Sequence, residues 1–283
     1  MNPPVRVAAG VRCLVAPNPG PMTGPGTNTW LLGEEDVVVV DPGPAIEAHV
    51  DAILAACAPG RVAAIWLTHA HPDHACAVAS LRARTGAPLV ASAVPAPTYD
   101  IPGLGLPDHP LQDAGRLLVE GDPWEALHTP GHASDHYCFH RVADRGVITG
   151  DLVVGQGTVV VAPPDGDMAA YMASLDKVAA VAPRVLWPGH GPPVTEAADR
   201  LAAYKAHRLQ REAQVLAAVA AGCGTIEGLR ARLYPQAQGV IARVASRQLE
   251  AHLRKLQAEG RLRLAQGAGG GLEAALSAAP EQP

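Results

Sequence analysis

Short apolar runs separated by Gly and Pro turns occupy most of the first two hundred residues. The runs at 11–15, 30–32 and 37–40 predict successive strands of a meander. Apolar residues recur at helical spacing over 46–57, which predicts a helix. The continuous apolar run at 62–67 is typical of a buried strand. Strands and helices therefore mix within one region, which favours an α+β fold.

Strand signals continue along the chain, with helices between them. We predict a helix over 75–85, beginning right after His74, and a Pro/Gly-rich loop over 95–115. We also predict a helix over 168–181. The remaining predicted strands are short runs with turn signals around them: 87–91, 116–120, 124–128, 137–141, 147–149 and 185–187.

Beyond residue 195 the strand signal stops. We predict a long helix over 197–221, a short one with Thr225 as N-cap, and a third over 240–259. A strand-like run over 261–264 follows. The outline of three helices and a strand is typical of a winged helix, and it suggests the following division: a body at 1–199, a basic module at 200–266 and a flexible tail at 267–283.

Composition excludes several classes of protein. No twenty-residue apolar stretch occurs, so we expect no transmembrane helix. The N-terminus lacks a charged segment followed by an apolar one, so it does not resemble a secretory signal. The cysteine count is odd, at five, and no CxxC pair is present. We therefore expect reduced thiols and a cytoplasmic protein.

The net charge of −5 conceals an asymmetry along the chain. Residues 1–199 contain 10 Lys and Arg against 21 Asp and Glu, whereas 200–266 contain 12 against 4. A basic module on an acidic body suggests an anionic partner, nucleic acid being one option. The alternative is that these basic side chains form a solvated helix face.

The segment His69-x-His71-x-Asp73-His74 concentrates three imidazoles and a carboxylate within six residues, directly after the strand at 62–67. Neutral imidazole and ionised carboxylate are standard ligands of divalent metals. Three later turns each add one residue of the same type after an apolar run or within a Gly/Pro turn, namely His132, Asp151 and His190. Five His and two Asp exceed the needs of one tetrahedral ion and suit two metals.

In order and type, these seven residues resemble the motif set of the metallo-β-lactamase superfamily over roughly residues 10 to 200. The flanking segments look like its β-lactamase-like protein 2 branch, some of whose members are ribonucleases. The segments that carry this finer resemblance are 20–31, 129–136, 150–158 and 188–192. The resemblance implies an αββα sandwich with a small C-terminal winged-helix-like domain.

The resemblance also implies roles for the ligands. His69, His71 and His132 would hold a first divalent ion, and Asp73, His74 and His190 a second. Asp151 would bridge the two ions, so we assign catalysis to Asp73 and Asp151. Zinc is favoured, with manganese or iron as alternatives for a ligand set of N and O atoms. A hydroxide shared by ions about 3.5–4 Å apart is a good nucleophile at neutral pH.

Residues around the ligands are expected to support them. Asp41 ends a strand before a turn, and we expect it to orient a ligand imidazole without binding metal itself. Asn28, His136 and Thr27 are further candidates for supporting the ligands or contacting substrate.

Two substrate classes remain open because the metal ligands are common to both. One is single-stranded RNA, cut by a metal-dependent endonuclease. The other is a small ester, thioester or lactone, as in glyoxalase II-like or acyl-homoserine lactonase-like enzymes. A nucleic-acid-binding regulator without catalysis is disfavoured by the complete ligand set, and an antibiotic-degrading lactamase by the missing signal peptide.

Overall fold

The computed structural model describes residues 3–94, 99–266 and 271–277. A seven-stranded sheet, in which strands neighbour one another in chain order, forms the N-terminal half. The first four strands run antiparallel, and the pairs from the fourth to the seventh are parallel. Its strands are β1 (Val5–Ala8), β2 (Val11–Val15), β3 (Asn28–Leu32), β4 (Asp36–Val40), β5 (Arg61–Trp66), β6 (Leu89–Ala91) and β7 (His109–Pro110).

A second sheet of five strands follows, with its members in reverse chain order across the sheet. The last two strands pair in parallel, and the other pairs are antiparallel. Its strands are β8 (Gly115–Val119), β9 (Asp122–His128), β10 (Tyr137–Arg141), β11 (Gly146–Gly150) and β12 (Val185–Pro188).

Seven helices and a hairpin complete the described chain. The hairpin pairs β13 (Leu262–Gln266) with β14 (Leu272–Leu276). The helices are α1 (Glu47–Cys57), α2 (Pro72–Ala75), α3 (Val78–Thr85), α4 (Met168–Ala180), α5 (Ala197–Ala220), α6 (Ile226–Leu233) and α7 (Gly239–Ala258). Among the residues described, no helix is long and apolar enough to cross a membrane.

Three apolar layers hold the two sheets and their helices together. In β4, Val37 and Val39 face α1 and α3, whereas Val38 and Val40 join a layer between the sheets. Successive side chains of a strand point to opposite faces, so a strand buried on both faces is apolar throughout. The third layer lies between the second sheet and helices α4 and α5. The order of helix, sheet, sheet and helix confirms the predicted αββα sandwich.

The C-terminal region has an apolar core of its own, to which α5, α6, α7 and the hairpin contribute. Helix α5 belongs to two cores, because Leu201 and Tyr204 pack in the third layer and Val215 and Val219 in the C-terminal core. The predicted division at residue 199 therefore falls inside a continuous helix. The division into body and winged-helix-like module remains a prediction.

Three elements differ from the sequence-based expectations. The predicted helix at 75–85 is preceded by α2, which already begins at Pro72, a residue favoured at the first helical position. Strand β7 lies within the loop predicted at 95–115. The flexible tail predicted from residue 267 is wrong for β14, which pairs with β13 over five residues. Residues 267–270 and 278–283 lie outside the described chain.

Candidate metal centre

The seven predicted ligands meet at one edge of the sandwich. Strands β4 and β5 are parallel, and so are β11 and β12, so the carboxyl ends within each pair lie side by side. The ends of the two sheets are tied together there. Tyr137 N donates to Thr68 O at 2.7 Å, and Asn28 N donates to Gly189 O at 2.7 Å. The turns after the strands therefore converge from both sheets on one site.

A buried relay orients two imidazoles of the contiguous motif. Asp41 Oδ2 lies 2.9 Å from His74 Nδ1 and accepts from the Thr68 hydroxyl at 2.7 Å. Because that hydroxyl donates to Asp41, it accepts from His69 Nδ1–H, 2.9 Å away. Both rings consequently present Nε2 to the site. Asp41 acts on two ligands, a geometry that agrees with its expected supporting role.

Asp41 itself adopts a left-handed backbone conformation, with φ of 51°. Asp tolerates this region better than most side chains, although the conformation remains uncommon outside glycine. The carboxylate is held in place by Thr68, whose backbone N donates to Oδ1 at 2.8 Å. The strained turn after β4 thus delivers a carboxylate to the back of the site.

The imidazoles of His71 and His132 meet across the sheets. His132 Nδ1 donates to Val160 O at 2.7 Å, so its Nε2 carries a lone pair. That Nε2 lies 2.9 Å from His71 Nδ1 and 3.5 Å from Asp151 Oδ2. The ring of His71 also contacts the exposed ring of Tyr99, with centroids 4.9 Å apart. Nitrogens held this way suit a shared cation.

The other side of the site is built around two carboxylates. His190 Nε2 lies 3.3 Å from Asp73 Oδ2 and 3.4 Å from Asp151 Oδ1. His74 Nε2 lies 3.6 and 3.5 Å from the same two oxygens. Asp151 therefore reaches both His132 on one side and His74 and His190 on the other, which is the position required of a bridging ligand.

Two buried polar atoms indicate that the donors fit metal ions. Within the described residues, the buried His69 Nε2 has no hydrogen-bond partner, and the buried Asp151 Oδ1 has no well-aligned hydrogen bond, although His190 Nε2 and His74 Nε2 lie 3.4 and 3.5 Å from it. Such atoms are rare in folded proteins unless water or an ion satisfies them. The possible ligand atoms form three groups, and the atoms within each group lie within 4.8 Å of one another. The groups are His69, His71 and His132; His69, His74 and Asp151; and Asp73, His74 and His190.

The ionisation of three of the ligands suits metal binding directly, whereas two further imidazoles must lose a proton. Burial, with help from neighbouring imidazoles, lowers the pKa of His69 well below its usual range and that of His71 to about 3. Both rings are therefore neutral at neutral pH, the form that binds metal. Burial alone would raise the pKa of Asp73, but His74 and His190 lower it to about 2. This carboxyl group is accordingly ionised. In contrast, Asp73 and Asp151 outweigh burial and raise the pKa of His74 to about 9 and that of His190 to about 10, so those two rings must lose a proton to bind an ion.

Glycine allows the ligand turns to approach one another closely. A Cβ on Gly189 would lie 2.6 Å from Asp151 Oδ1 and 2.8 Å from His74 Cε1. Gly150 has φ of 45°, and a Cβ there would lie 2.7 Å from His136 Nε2. These two positions need glycine because the neighbouring side chains occupy the space of a Cβ.

The remaining predicted site residues contact the ligand turns. Asn28 Nδ2 donates to Pro188 O and Gly191 O, both at 2.8 Å, and so brackets the turn that carries His190. His136 Nε2 accepts from Asp151 N at 3.1 Å, which leaves its Nδ1–H for Thr129. Thr27 Oγ1 lies 3.4 Å from Asp73 Oδ2.

Sequence reasoning missed Thr68 and Val160, which orient His69 and His132. Thr68 directly precedes the motif, so its position was a signal that could have been used. Val160 has no such signal, because it acts through a backbone carbonyl that any residue carries.

The sandwich and the cluster at its edge define the class of protein, and comparisons with known proteins agree. Residues 22–190 match the family described as the metallo-beta-lactamase superfamily. A Drosophila melanogaster protein named beta-lactamase-like protein 2 homolog is 30% identical, with 93% of each chain covered. This chain belongs to the metallo-β-lactamase superfamily, whose members are hydrolases, and the predicted resemblance to the β-lactamase-like protein 2 branch is confirmed.

One further relative and one solved structure extend the comparison. An atrochrysone carboxyl ACP thioesterase from Aspergillus chevalieri is 34% identical over 76% of this chain and 67% of its own length. A beta-lactamase domain protein from Burkholderia ambifaria superposes with a TM-score of 0.85 at 23% identity, with 98% of this chain and 95% of that chain covered. The second likeness extends over the C-terminal region as well as the sandwich.

Proposed function

We propose that this protein is a hydrolase that holds two divalent ions and cleaves a small thioester or ester. The observation that carries the proposal is one cluster of imidazoles and carboxylates in which, among the described residues, the buried His69 Nε2 has no hydrogen-bond partner and Asp151 Oδ1 faces two imidazoles. When bound, the two ions would lower the pKa of water and polarise the bond under attack.

The assignment of ligands follows the three donor groups. His69, His71 and His132 would hold one ion, and Asp73, His74 and His190 the other, with Asp151 between them. Zinc suits this set of N and O donors, and manganese or iron also suit it. A solved structure described as di-iron-bound is 29% identical to this chain and superposes with a TM-score of 0.55, with 66% of this chain and 96% of that chain covered.

The residues of the chain have distinct tasks in this mechanism. Asp151 is held by His136 through its backbone N, so its carboxylate stays aimed at both ion positions. The Asp73 side chain is 30% exposed and is the more accessible carboxylate of the pair, since that of Asp151 is 12% exposed. We infer that Asp73 orients the attacking water from the solvent side.

A small acyl substrate is favoured over RNA because most basic side chains of the C-terminal region already have hydrogen-bond partners within the chain. Of the twelve Lys and Arg at 200–266, nine contact carboxylates or backbone carbonyls: Arg200, Lys205, Arg208, Arg211, Arg230, Arg247, Arg254, Lys255 and Arg261. Side chains used in this way offer little to a polyanion, whose binding depends on free cationic groups. The relative named as a thioesterase supports the same choice.

The decisive experiment compares substrates with the purified protein. Acyl thioesters, esters, lactones and single-stranded RNA are each incubated with the zinc-loaded protein, with and without a chelator, and Asp151→Ala serves as the control against contaminating enzymes. We expect chelator-sensitive cleavage of a thioester or ester that Asp151→Ala lacks. Cleavage confined to RNA, and lost in Asp151→Ala, would replace the proposed substrate by a nucleic acid.

A further inference from the structure

The segment between β11 and α4 contributes to the metal centre at two separate points. It spans 151–167 and forms neither helix nor strand. Asp151 begins it, and nine residues later Val160 O accepts the hydrogen bond that fixes His132. An irregular segment of this length has few backbone hydrogen bonds of its own, so its shape depends on what packs against it.

Helix α5 supplies that support through three side chains spaced four residues apart, Arg200, Tyr204 and Arg208. Residues at this spacing lie on one face of a helix. Arg200 Nη2 donates to Val154 O and Gly155 O at 2.9 and 2.6 Å. We call these three side chains the α5 clamp.

The second and third members continue along the same backbone. Tyr204 Oη accepts from Val154 N at 3.1 Å and lies 3.1 Å from Gly157 O. Arg208 Nη2 donates to Val159 O at 2.6 Å. The α5 clamp therefore contacts the segment from residue 154 to residue 159, directly before Val160.

Arg208 is the member that reaches both points of the metal centre. It is fully buried, and its guanidinium lies 5.1 Å from the centre of the Tyr171 ring. The Tyr171 hydroxyl donates to Leu152 O at 2.7 Å, and Leu152 is the neighbour of Asp151. The Arg208 guanidinium thus contacts Val159 O, next to Val160, and the ring of Tyr171, whose hydroxyl holds Leu152, next to Asp151.

We propose that Arg200, Tyr204 and Arg208 are positioning residues for the metal centre, acting through the backbone at 152–160. This inference rests on the proposed function, since it takes His132 and Asp151 as metal ligands. The C-terminal helices then serve the reaction by holding a ligand-bearing segment in place. Arg208 has the largest share, because it acts on both ligands at once.

The nature of the side chain supports this role over simple packing. A buried guanidinium loses its hydration, and within the described chain its Nε and Nη1 atoms have no hydrogen-bond partner. Apolar residues of similar volume fill buried positions at no such cost. Arg208→Met therefore keeps most of the volume while it removes the donor to Val159 O and the charge over Tyr171.

The test measures metal affinity and backbone protection in the full-length protein, and neither readout needs a substrate. For Arg208→Met we expect about 10-fold weaker Zn²⁺ binding in competition with a chromophoric chelator, the lower end of the scale for residues that orient ligands. We also expect faster amide hydrogen exchange over 152–160. Lys205→Gln is the matched control, because Lys205 lies on the same helix but binds Asp176 on the surface.

A second variant protects the test against a failure of Arg208→Met to fold. Tyr204→Phe keeps the ring and removes only the hydroxyl that contacts Val154 and Gly157. It should accelerate exchange over 154–157 and weaken Zn²⁺ binding by a smaller factor than Arg208→Met. Unchanged exchange and Zn²⁺ affinity in a folded variant would overturn the inference. If the protein proved not to cleave thioesters, Zn²⁺ affinity and amide exchange could still be measured, so the inference would stand or fall independently of the proposed substrate.

Discussion

The two halves of the metal centre are built in different ways. The first sheet supplies four ligands from one contiguous motif, His69 to His74, held by the side chains of Asp41 and Thr68. The second sheet supplies His132, Asp151 and His190 from three separate turns. Those turns are held largely through contacts to backbone atoms: Val160 O accepts from His132, His136 Nε2 accepts from Asp151 N, and Asn28 Nδ2 donates to Pro188 O and Gly191 O.

The difference shows where each half is vulnerable. A half held by side chains is sensitive to substitutions at a few polar residues close to the motif. A half held by backbone contacts is sensitive to anything that moves the backbone, including changes at glycine or at distant helices. Substitutions in each half separate these two kinds of dependence, and the residue on which both halves converge should show the largest effect.

Asp151→Ala should abolish hydrolysis of the true substrate while the protein remains folded. Among the described residues, Asp151 alone has a carboxylate that faces imidazoles on both sides of the centre, His132 on one and His74 and His190 on the other. Turnover and metal content measured together check this. Near wild-type turnover in the variant would contradict the proposal that Asp151 bridges two divalent ions.

Gly189→Ala should damage the centre without removing any ligand. The added Cβ would lie 2.6 Å from Asp151 Oδ1, so the carboxylate or the turn must move. A displacement of about 1 Å can cost a factor of about 100 in rate. We expect a fall of that order in turnover. Gly271→Ala is the control, because a Cβ there meets nothing within 4 Å.

If Gly189→Ala retained full activity, the backbone of the second half would be more tolerant than its contacts indicate. The comparison between the halves would then lose its main support, and the side-chain relay of the first half would be the more sensitive part of the centre.

Asp41→Asn tests the half held by side chains. The amide lacks the negative charge that faces His74 Nδ1 and the Thr68 hydroxyl. Metal affinity or turnover should fall by roughly 10–100-fold, the usual scale for residues that orient ligands. Zinc titration of both proteins measures this. Glu47→Gln, on an exposed side chain that pairs with Arg84, is a control of equal charge change.

Sequence patterns predicted the first half of the centre better than the second. The motif from His69 to His74 is contiguous, and its spacing carries its chemistry without knowledge of the fold. The other three candidate ligands were predicted because each follows an apolar run or lies in a Gly/Pro turn. Their proximity across the sheets is a property of the tertiary structure, which brings donor atoms of His132, Asp151 and His190 within 4.8 Å of donor atoms of the motif.

The missed features are those in which the backbone or a remote element acts. Strand β14 has the sequence Leu-Glu-Ala-Ala-Leu, which lacks the β-branched residues typical of strands, and its pairing with β13 decides its conformation. The basic residues of the C-terminal region could be counted from the sequence, but the hydrogen-bond partners of their side chains depend on the tertiary structure. Arg208 is fully buried, contrary to the expectation for a basic surface, because the third apolar layer encloses it.

The smallest effect on turnover is expected for the three arginines at 200–266 that are not among the nine basic residues with contacts named above. Within the described residues, Arg232, Arg243 and Arg263 are exposed and have no ion-pair partner. Replacing all three by Gln removes three charges from the C-terminal region but touches neither half of the metal centre. Turnover of a small thioester should therefore change by less than about 2-fold, since exposed charges without partners contribute little.

The same triple variant distinguishes the two substrate classes by salt dependence. If RNA were the substrate, its affinity would fall steeply with salt, and removing three phosphate contacts would lower the slope by about 0.7 for each contact with a single strand. A small neutral thioester has no such slope, and its KM should stay flat from low to high salt in both proteins. A steep slope for RNA in the wild type that flattens in the variant would restore the C-terminal region as a binding surface. Flat profiles in both would leave it the role of supporting the second half of the centre.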